Sequence, residues 1–207
     1  MDPYRPDWPD LRRVAASIRR GGVAAIPTDT VYGLAANPFD RRAVATVFSI
    51  KRRPETLPIL LLIDSLAQLD GIVREPPELF HRLAAEFWPG PLTMILPARD
   101  RVPAAVTAGT GTIAVRLPSA QIPRRLARLA GPITGTSANR SGRPAATTAD
   151  EVKRQLGPDV FQEGLAYIID GGRARSLRPS TIVSLTGKPR IVRHGAVPAG
   201  MLAAYLR

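Results

Sequence analysis

The sequence has no cysteine and only two histidines, His81 and His194. The absence of cysteine excludes disulfide bonds and thiolate catalysis, and two histidines are too few for a histidine-based metal site. A chain that is built without disulfides fits a reducing compartment. We therefore expect an intracellular protein.

Long apolar segments are also missing. The longest apolar run covers residues 58–63, whereas a helix needs about 20 apolar residues to cross a bilayer. Residues 1–10 are polar and proline-rich, unlike the apolar core of a signal peptide. Together these observations predict a cytoplasmic protein that has no membrane span.

The motifs of several common enzyme classes are absent as well. There is no GxxxxGK[ST] phosphate loop and no GxGxxG after a strand, and Gly109-Thr110-Gly111 is only a weak glycine signal. No Ser-His-Asp or Cys-His arrangement and no glycosidase-type pair of carboxylates can be recognised. Any nucleotide site must therefore be built in another way, and catalysis through a covalent nucleophile is not indicated.

The charge is strongly positive. Lysine and arginine total 29 residues against 17 acids, which gives a net charge of +12, and 26 of the 29 are arginine. Such a balance favours anionic partners, but the cations are scattered and few aromatics accompany them. Charge alone thus leaves two possibilities open, namely direct binding of RNA and binding of a small anionic ligand.

Helix and strand patterns alternate along the 207 residues, of which 44% are hydrophobic. This predicts one α/β domain over residues 1–207, with a core at about 8–195 and a short helical tail at 198–207. The closing hairpin around Gly187-Lys188 requires antiparallel pairing, so the sheet should be mixed. Residues 99–111 are predicted to form a mobile loop. Helices are expected at 10–20, 40–50, 77–88 and 148–157, and a further helix is expected to have Pro123 in its first turn. Strands are expected at 23–27, 59–63, 92–96, 112–117, 133–136, 167–169, 181–185 and 190–193.

Three small polar clusters follow these elements: residues 51–54 (KRRP), 137–139 (SAN) and 179–181 (PST), preceded by residues 27–34 (PTDTVYGL). Together they offer cations, hydroxyls and an amide, which suit a site for a nucleotide and a small polar substrate. Taken singly, each has an ordinary alternative. Lys51 and Arg53 fit a solvated helix end, Ser137 and Asn139 fit a turn, and Thr30 fits a cap.

Arg116 lies inside a predicted strand, between Val115 and Leu117. If its side of the sheet is buried, its guanidinium must have a partner; if that side faces solvent, the arginine is unremarkable. The sequence leaves both possibilities open. Arg193 ends the last strand and either closes on an anion or is one more surface arginine. Tyr32 is interpreted as a packing residue.

Taken as one ordered series, the segments resemble the YrdC-like family, the threonylcarbamoyl-AMP synthases, over nearly the full length. The family's K-x-R element corresponds to Lys51 and Arg53, and its S-x-N element corresponds to Ser137 and Asn139. The resemblance implies a single YrdC-like domain with a twisted, open, mixed β-sheet flanked by helices. The matching segments are residues 27–34, 50–54 (IKRRP), 87–93 (FWPGPLT), 114–118 (AVRLP), 136–139 (TSAN) and 179–181, with Arg193.

The resemblance also implies an activity. L-threonine, bicarbonate and ATP would give L-threonylcarbamoyl-adenylate and pyrophosphate, and the adenylate would feed tRNA N6-threonylcarbamoyladenosine formation through downstream transfer proteins. Magnesium is expected to accompany the triphosphate, with phosphates and water as its main ligands. The implied catalytic residues are Lys51, Arg53 and Arg116. The implied ATP contacts are Lys51, Arg53, Thr112, Ser137, Asn139 and Arg193, and the implied threonine or carbamate contacts are Thr30, Arg116, Thr136 and Ser180.

Two departures from the family pattern bear on this interpretation. Longer members carry a histidine shortly after the position of Pro58, where this chain has an apolar run, and they continue into a linker and a further domain. We therefore expect the short, single-domain type. The role of Asp29 stays open. Two rival functions also remain: a non-catalytic RNA-binding protein of the same fold, and a carbamoyl-adenylate-forming module of the kind used in hydrogenase maturation.

Overall fold

Residues 10–176 and 178–206 are described by a computed structural model. Residues 8 and 9 of the predicted core and Arg207 of the predicted tail lie outside them. The helices are α1 (Leu11–Arg19), α2 (Arg41–Lys51), α3 (Glu78–Phe87), α4 (Ala104–Thr107), α5 (Gln121–Ala130), α6 (Ala149–Leu156) and α7 (Ala199–Ala203). The strands are β1 (Val23–Ile26), β2 (Gly33–Ala35), β3 (Leu61–Leu62), β4 (Leu92–Pro97), β5 (Thr112–Arg116), β6 (Ile133–Thr134), β7 (Thr136–Ser137), β8 (Leu165–Ile168), β9 (Thr181–Ser184) and β10 (Arg190–Arg193). Residues Leu66–Gly71 and Pro158–Phe161 form 3-10 helices.

The strands form two sheets, with the orders β7-β2-β1-β8 and β10-β9-β4-β5-β3-β6. The pairs β1/β8, β3/β5 and β4/β9 are parallel, and the other neighbours are antiparallel. The predicted mixed α/β class is therefore confirmed. The strands are divided between two sheets, however, and the chain passes from one sheet to the other between β2 and β3, between β6 and β7, and between β8 and β9. At the crossing between β6 and β7, Gly135 is required because a Cβ there would lie 2.6 Å from the side chain of Leu62.

Capping side chains explain where several helices begin. Asp40 accepts hydrogen bonds from the amides of Arg42 (2.8 Å) and Ala43 (3.2 Å) at the start of α2. Thr148 accepts from the amide of Glu151 at 3.2 Å, as the capping-box pattern predicted for α6. Helix α5 begins at Gln121, so Pro123 lies in its first turn, as predicted. Pro123 is tolerated there because amides of the first turn have no partner within the helix.

Residues 99–111 are more structured than predicted. They contain α4, and Val106 within it is fully buried. The carbonyl of Val106 accepts a hydrogen bond from the amide of Ile59 at 2.8 Å. At the other end of the chain, α7 lies in the predicted tail, and Tyr205 stacks edge-on against Phe87 with 5.8 Å between ring centroids. Both segments are thus attached to the core by specific contacts.

Two apolar cores lie against the sheets. The larger one contains the buried faces of α2, α3 and α6, and the smaller one is built largely from α1 and α5. Among the described residues, no helix is long and apolar enough to cross a membrane. The polar clusters singled out in the sequence lie at the ends of these elements, where backbone groups and side chains converge.

Candidate nucleotide and amino-acid site

The end of α2 carries a buried lysine. Lys51 is only 2% exposed, and its Nζ donates to the carbonyl of Ser137, to the carbonyl of Asn139 at 3.0 Å and to Asn139 Oδ1 at 3.3 Å. The structure therefore joins the K-x-R and S-x-N segments, which are more than 80 residues apart in sequence. Burial, and secondarily the charge of Arg53, lower the pKa of Lys51 from 10.5 to about 8. All of these acceptors are uncharged, so the described residues give the ammonium no counterion, and an anionic ligand would supply one.

Arg53 lies beside this lysine and is partly buried. Its NH1 donates to Thr136 Oγ1 at 3.3 Å and its NH2 donates to the carbonyl of Pro58 at 2.8 Å. Within the described residues its Nε is buried without a hydrogen-bond partner, and burial lowers the pKa of Arg53. A buried donor without an acceptor is unfavourable. An anionic oxygen from a ligand would satisfy it.

Arg116 faces the interior of the molecule, which decides between the two possibilities that the sequence left open. It is 2% exposed and forms an ion pair with Asp29 Oδ1. Its NH1 donates to Thr30 Oγ1 at 2.9 Å and its Nε to the carbonyl of Gly90 at 3.0 Å. Burial lowers the pKa of Arg116, and Asp29 opposes that effect. These bonds use three of the five guanidinium N–H groups, while Asp29 Oδ2 is buried and has no hydrogen-bond partner in the part of the chain that the structure describes.

Ser180 forms a third polar group with two neighbours. Its Oγ lies 2.8 Å from Thr93 Oγ1, and Arg193 donates through NH2 to its carbonyl at 2.8 Å and to its Oγ at 3.1 Å. Arg193 is exposed as a whole residue, although its guanidinium lies on Ser180. Partial burial of that guanidinium and the nearby charge of Arg116 both lower the pKa of Arg193. Arg116 and Arg193 thus place positive charge in the same region of the molecule.

Backbone packing keeps Ser180 in place. A Cβ on Gly195 would lie 2.4 Å from the carbonyl oxygen of Pro179 and 2.5 Å from the carbonyl carbon of Ser180. Only glycine allows the chain after β10 to approach so closely. The amide of Ala196 donates to the Pro179 carbonyl at 2.9 Å in the same contact.

Strand β2 connects the groups around Lys51 and Arg116. It pairs with β7 in the register Gly33↔Ser137 and Leu34↔Thr136, and it begins three residues after Thr30. The chain from residue 28 to residue 34 therefore leads from the contacts of Arg116 to those of Lys51. Tyr32 is fully buried, and its OH donates to the carbonyl of Gly172 at 2.8 Å, which fits the packing role expected for it.

Thr112 lies apart from these contacts. It is at the start of β5, whereas Arg116 is at the end of that strand, about 13 Å further along at ~3.3 Å per residue. Its Oγ1 lies 2.9 Å from Thr110 Oγ1. The other predicted residues lie in three linked groups, around Lys51, Arg116 and Ser180. Thr112 lies outside these groups and would contact a different part of a nucleotide.

Three residues that the sequence analysis did not assign belong to this arrangement. Asp29 neutralises Arg116, and Thr93 holds Ser180; both lie in segments that matched the family, so their positions were available as a signal. Arg140 bonds to the carbonyl of Ile50 beside Lys51. No sequence pattern singled out Arg140, because it is one of 26 arginines and its role depends on contacts with distant segments.

Comparison with known proteins assigns the family. The family model Sua5_yciO_yrdC, described as "Telomere recombination", matches residues 16–195. The chain therefore belongs to the Sua5/YciO/YrdC family, and the resemblance noted from the sequence is confirmed.

Individual relatives carry more specific names. A threonylcarbamoyl-AMP synthase of Pyrococcus abyssi is 42% identical over 194 residues, which are 93% of this chain and 55% of that protein. A threonylcarbamoyl-AMP synthase of Bacillus subtilis is 36% identical over 208 residues, 99% of this chain and 59% of that protein. The crystal structure of P. abyssi Sua5 complexed with L-threonine superimposes with a TM-score of 0.88 at 40% identity, covering 95% of this chain and 57% of that one. The chain thus spans little more than half the length of these relatives.

Proposed function

We propose that this chain is an L-threonylcarbamoyladenylate synthase, a nucleotidyltransferase that uses L-threonine, bicarbonate and ATP. The observation that carries the proposal is the contact of Lys51 with Ser137 and Asn139, beside the unsatisfied Nε of Arg53. This arrangement offers two cations to an anion in a largely desolvated place. The names of the Pyrococcus and Bacillus relatives and the threonine bound in the Pyrococcus structure support the choice of substrates.

The residues divide between two ligands in this proposal. The triphosphate lies against Lys51, Arg53, Ser137, Asn139 and Arg193, with Thr112 further along the nucleotide. Threonine or its carbamate lies against Thr30, Thr136, Ser180 and Arg116. Arg116 and Asp29 place one positive and one negative charge side by side. Such a pair is complementary to a zwitterion, which carries an ammonium and a carboxylate, and this supports an amino acid as the second ligand.

The chemistry requires positioning and fixed charge. The amine of threonine loses a proton and takes up the carbon of bicarbonate, with loss of water, to become a carbamate. A carbamate oxygen then attacks the α-phosphorus of ATP, and pyrophosphate leaves. Both reactants are anionic, so Lys51, Arg53 and Arg116 would act by reducing their repulsion and holding the attack in line. No covalent nucleophile is required.

Magnesium would reach the site with its nucleotide. Within residues 10–176 and 178–206, no three carboxylates or histidines come together as a metal cage. The one acid of the site, Asp29, is engaged by Arg116. These residues do not fit a protein-held magnesium, so we assign its ligands to the phosphates and to water.

In the cytoplasm, the adenylate would pass to tRNA threonylcarbamoyl-transfer proteins.

An assay of substrate dependence tests the proposed function. The purified chain is expected to release pyrophosphate from ATP only when threonine and bicarbonate are both present, because the carbamate is the nucleophile. The measurement is pyrophosphate release, with each substrate omitted in turn and with serine in place of threonine. Release that persists without threonine would contradict the proposal. Release that depends on carbamoyl phosphate instead would indicate the carbamoyl-adenylate alternative.

A second candidate, direct binding of RNA, is favoured by one surface. Helices α1 and α5 pack side by side, and Arg19 NH1 donates to the carbonyl of Leu129 at 2.6 Å. Neither helix contains an acidic residue, and nearly all of their exposed polar side chains are arginines. Such a surface fits a phosphate backbone. It is formed by Arg12, Arg13, Arg19, Arg20, Arg125 and Arg128.

Salt dependence tests this second candidate. We expect weak binding of tRNA without base preference, with an affinity that falls steeply as salt is added. The triple variant Arg12→Gln, Arg13→Gln, Arg125→Gln should weaken all RNAs alike and reduce the salt slope by up to about three. The matched triple variant at other exposed arginines should change little. Its positions are Arg74, Arg154 and Arg190. Equal effects of the two triples would remove the α1/α5 surface as the RNA site.

A further inference from the structure

Arg140 lies between the ends of two helices and an acid. Its NH1 donates to the carbonyl of Ile50 in the last turn of α2 and to Glu163 Oε2 at 2.8 Å. Its NH2 donates to the carbonyl of Leu156 at the end of α6 (2.7 Å) and to Glu163 Oε1 at 3.0 Å. The pair is bidentate, and its side chains are only 15% and 28% exposed. One guanidinium thus satisfies a carbonyl at the C-terminal end of each helix, where a cation is favoured.

The backbone next to Arg140 also bonds to Lys51 and Asn139, two of the predicted nucleotide contacts. The amide of the next residue, Ser141, donates to the carbonyl of Lys51 at 2.7 Å. The carbonyl of Arg140 accepts a hydrogen bond from Asn139 Nδ2 at 3.1 Å, and Lys51 Nζ donates to the carbonyl of Asn139. The last turn of α2 and residues 137–141 are therefore joined through the Arg140 side chain, the Ser141 amide and the Lys51 ammonium.

We propose that Arg140 is a positioning residue: with Glu163, it ties the last turn of α2 to residues 137–141 and thereby holds Lys51 and Asn139 where they bind the triphosphate. The inference rests on the proposed function, because it takes ATP as the ligand of Lys51. It assigns to Arg140 an effect on the nucleotide and not on threonine. Displacements of about 1 Å are enough to weaken a preorganised site strongly.

A plain surface salt bridge is the competing description of this pair, and such bridges contribute little to stability. The geometry argues against it, since the fork of Arg140 meets two carbonyls as well as the carboxylate and both side chains are largely shielded. The chain offers a matched control for that description. Lys153 and Asp150 form an exposed ion pair on α6 at 3.2 Å, with side chains 59% and 76% exposed.

The test compares Arg140→Met with Lys153→Met by calorimetric titration of a non-hydrolysable ATP analogue and of L-threonine. Arg140→Met is expected to raise the Kd for the ATP analogue about tenfold or more and to leave the Kd for threonine within about twofold. In turnover the same variant should raise the KM for ATP more than it lowers kcat. Lys153→Met should match the wild type in every measurement.

Other results would overturn the inference in distinct ways. An ATP affinity within twofold of the wild type, or an equal loss of affinity for both ligands, would reduce Arg140 to a general stabilising residue. If Arg140→Met fails to fold, Glu163→Gln replaces it, since it keeps one acceptor oxygen and removes the charge; it must show the same selective loss for ATP. Failure of the wild type to bind the ATP analogue would contradict the proposed function itself.

Discussion

Replacing Arg116 by methionine is expected to lower the free energy of unfolding by about 3–5 kcal/mol, because it leaves the Asp29 carboxylate buried without its counterion. The side chains of the pair are 3% and 7% exposed, so water cannot replace the lost partner without rearrangement. Asp29 Oδ2 already lacks a hydrogen bond, which makes the carboxylate still more dependent on Arg116. An Arg116 variant that lost the proposed activity would therefore combine two causes, a lost ligand contact and a loss of folded protein.

Urea denaturation followed by circular dichroism measures this effect. The control is Lys153→Met, which breaks the ion pair with Asp150 at 3.2 Å; both side chains are largely exposed, at 59% and 76%, so the loss should stay below about 1 kcal/mol. The double variant Asp29→Leu, Arg116→Met removes both charges and should recover at least half of the loss. A loss below 1 kcal/mol for Arg116→Met would show that Asp29 finds other partners.

The general features of this fold could be predicted from periodicity and caps, and the exact pairing could not. Asp40 and Thr148 were recognisable as caps because the signal lies within four residues. The division into two sheets was not recognisable, since it depends on pairings between strands that are distant in sequence, such as β1 with β8 and β4 with β9. The same reason applies to residues 99–111. Their Pro, Ala, Thr and Gly content is typical of a loop, but the burial of Val106 and hydrogen bonds with Ile59 and Ile72 attach them to the core.

The candidate site shows a similar limit. Lys51, Ser137 and Asn139 were predicted to serve one ligand, and the structure places them in direct contact. Whether Arg116 faces inward was undecidable from its strand, because alternation gives the period of a strand but not which face is buried. Its partner Asp29 stood in a matching segment without a role. Arg140 carried no local signal, since its importance arises from two helix ends and Glu163 meeting in space.

The affinity for ATP is expected to fall as pH rises above about 8, because Lys51 must be protonated to attract the phosphates. In the free protein, burial lowers the pKa of Lys51 from 10.5 to about 8. Bound phosphates favour the ammonium form and raise the pKa of Lys51 in the complex. Binding is then coupled to proton uptake: below pH 8 the lysine is already charged, and above it the Kd rises about tenfold per pH unit until the pKa of the complex is reached.

Calorimetric titration of a non-hydrolysable ATP analogue between about pH 7 and pH 9.5, in buffers of different ionisation enthalpy, measures both the affinity and the proton uptake. The Kd should be nearly constant up to pH 8 and rise about 30-fold by pH 9.5, with uptake approaching one proton. Lys51→Met should bind more weakly at neutral pH and lose this dependence, whereas Lys188→Met, which changes an exposed lysine in the turn between β9 and β10, should keep it. A wild-type Kd that stays flat to pH 9.5 would mean that Lys51 either remains charged throughout or does not contact the phosphates. The Lys51→Met affinity at neutral pH separates these two cases, since only a lysine in contact with the phosphates weakens binding when it is removed.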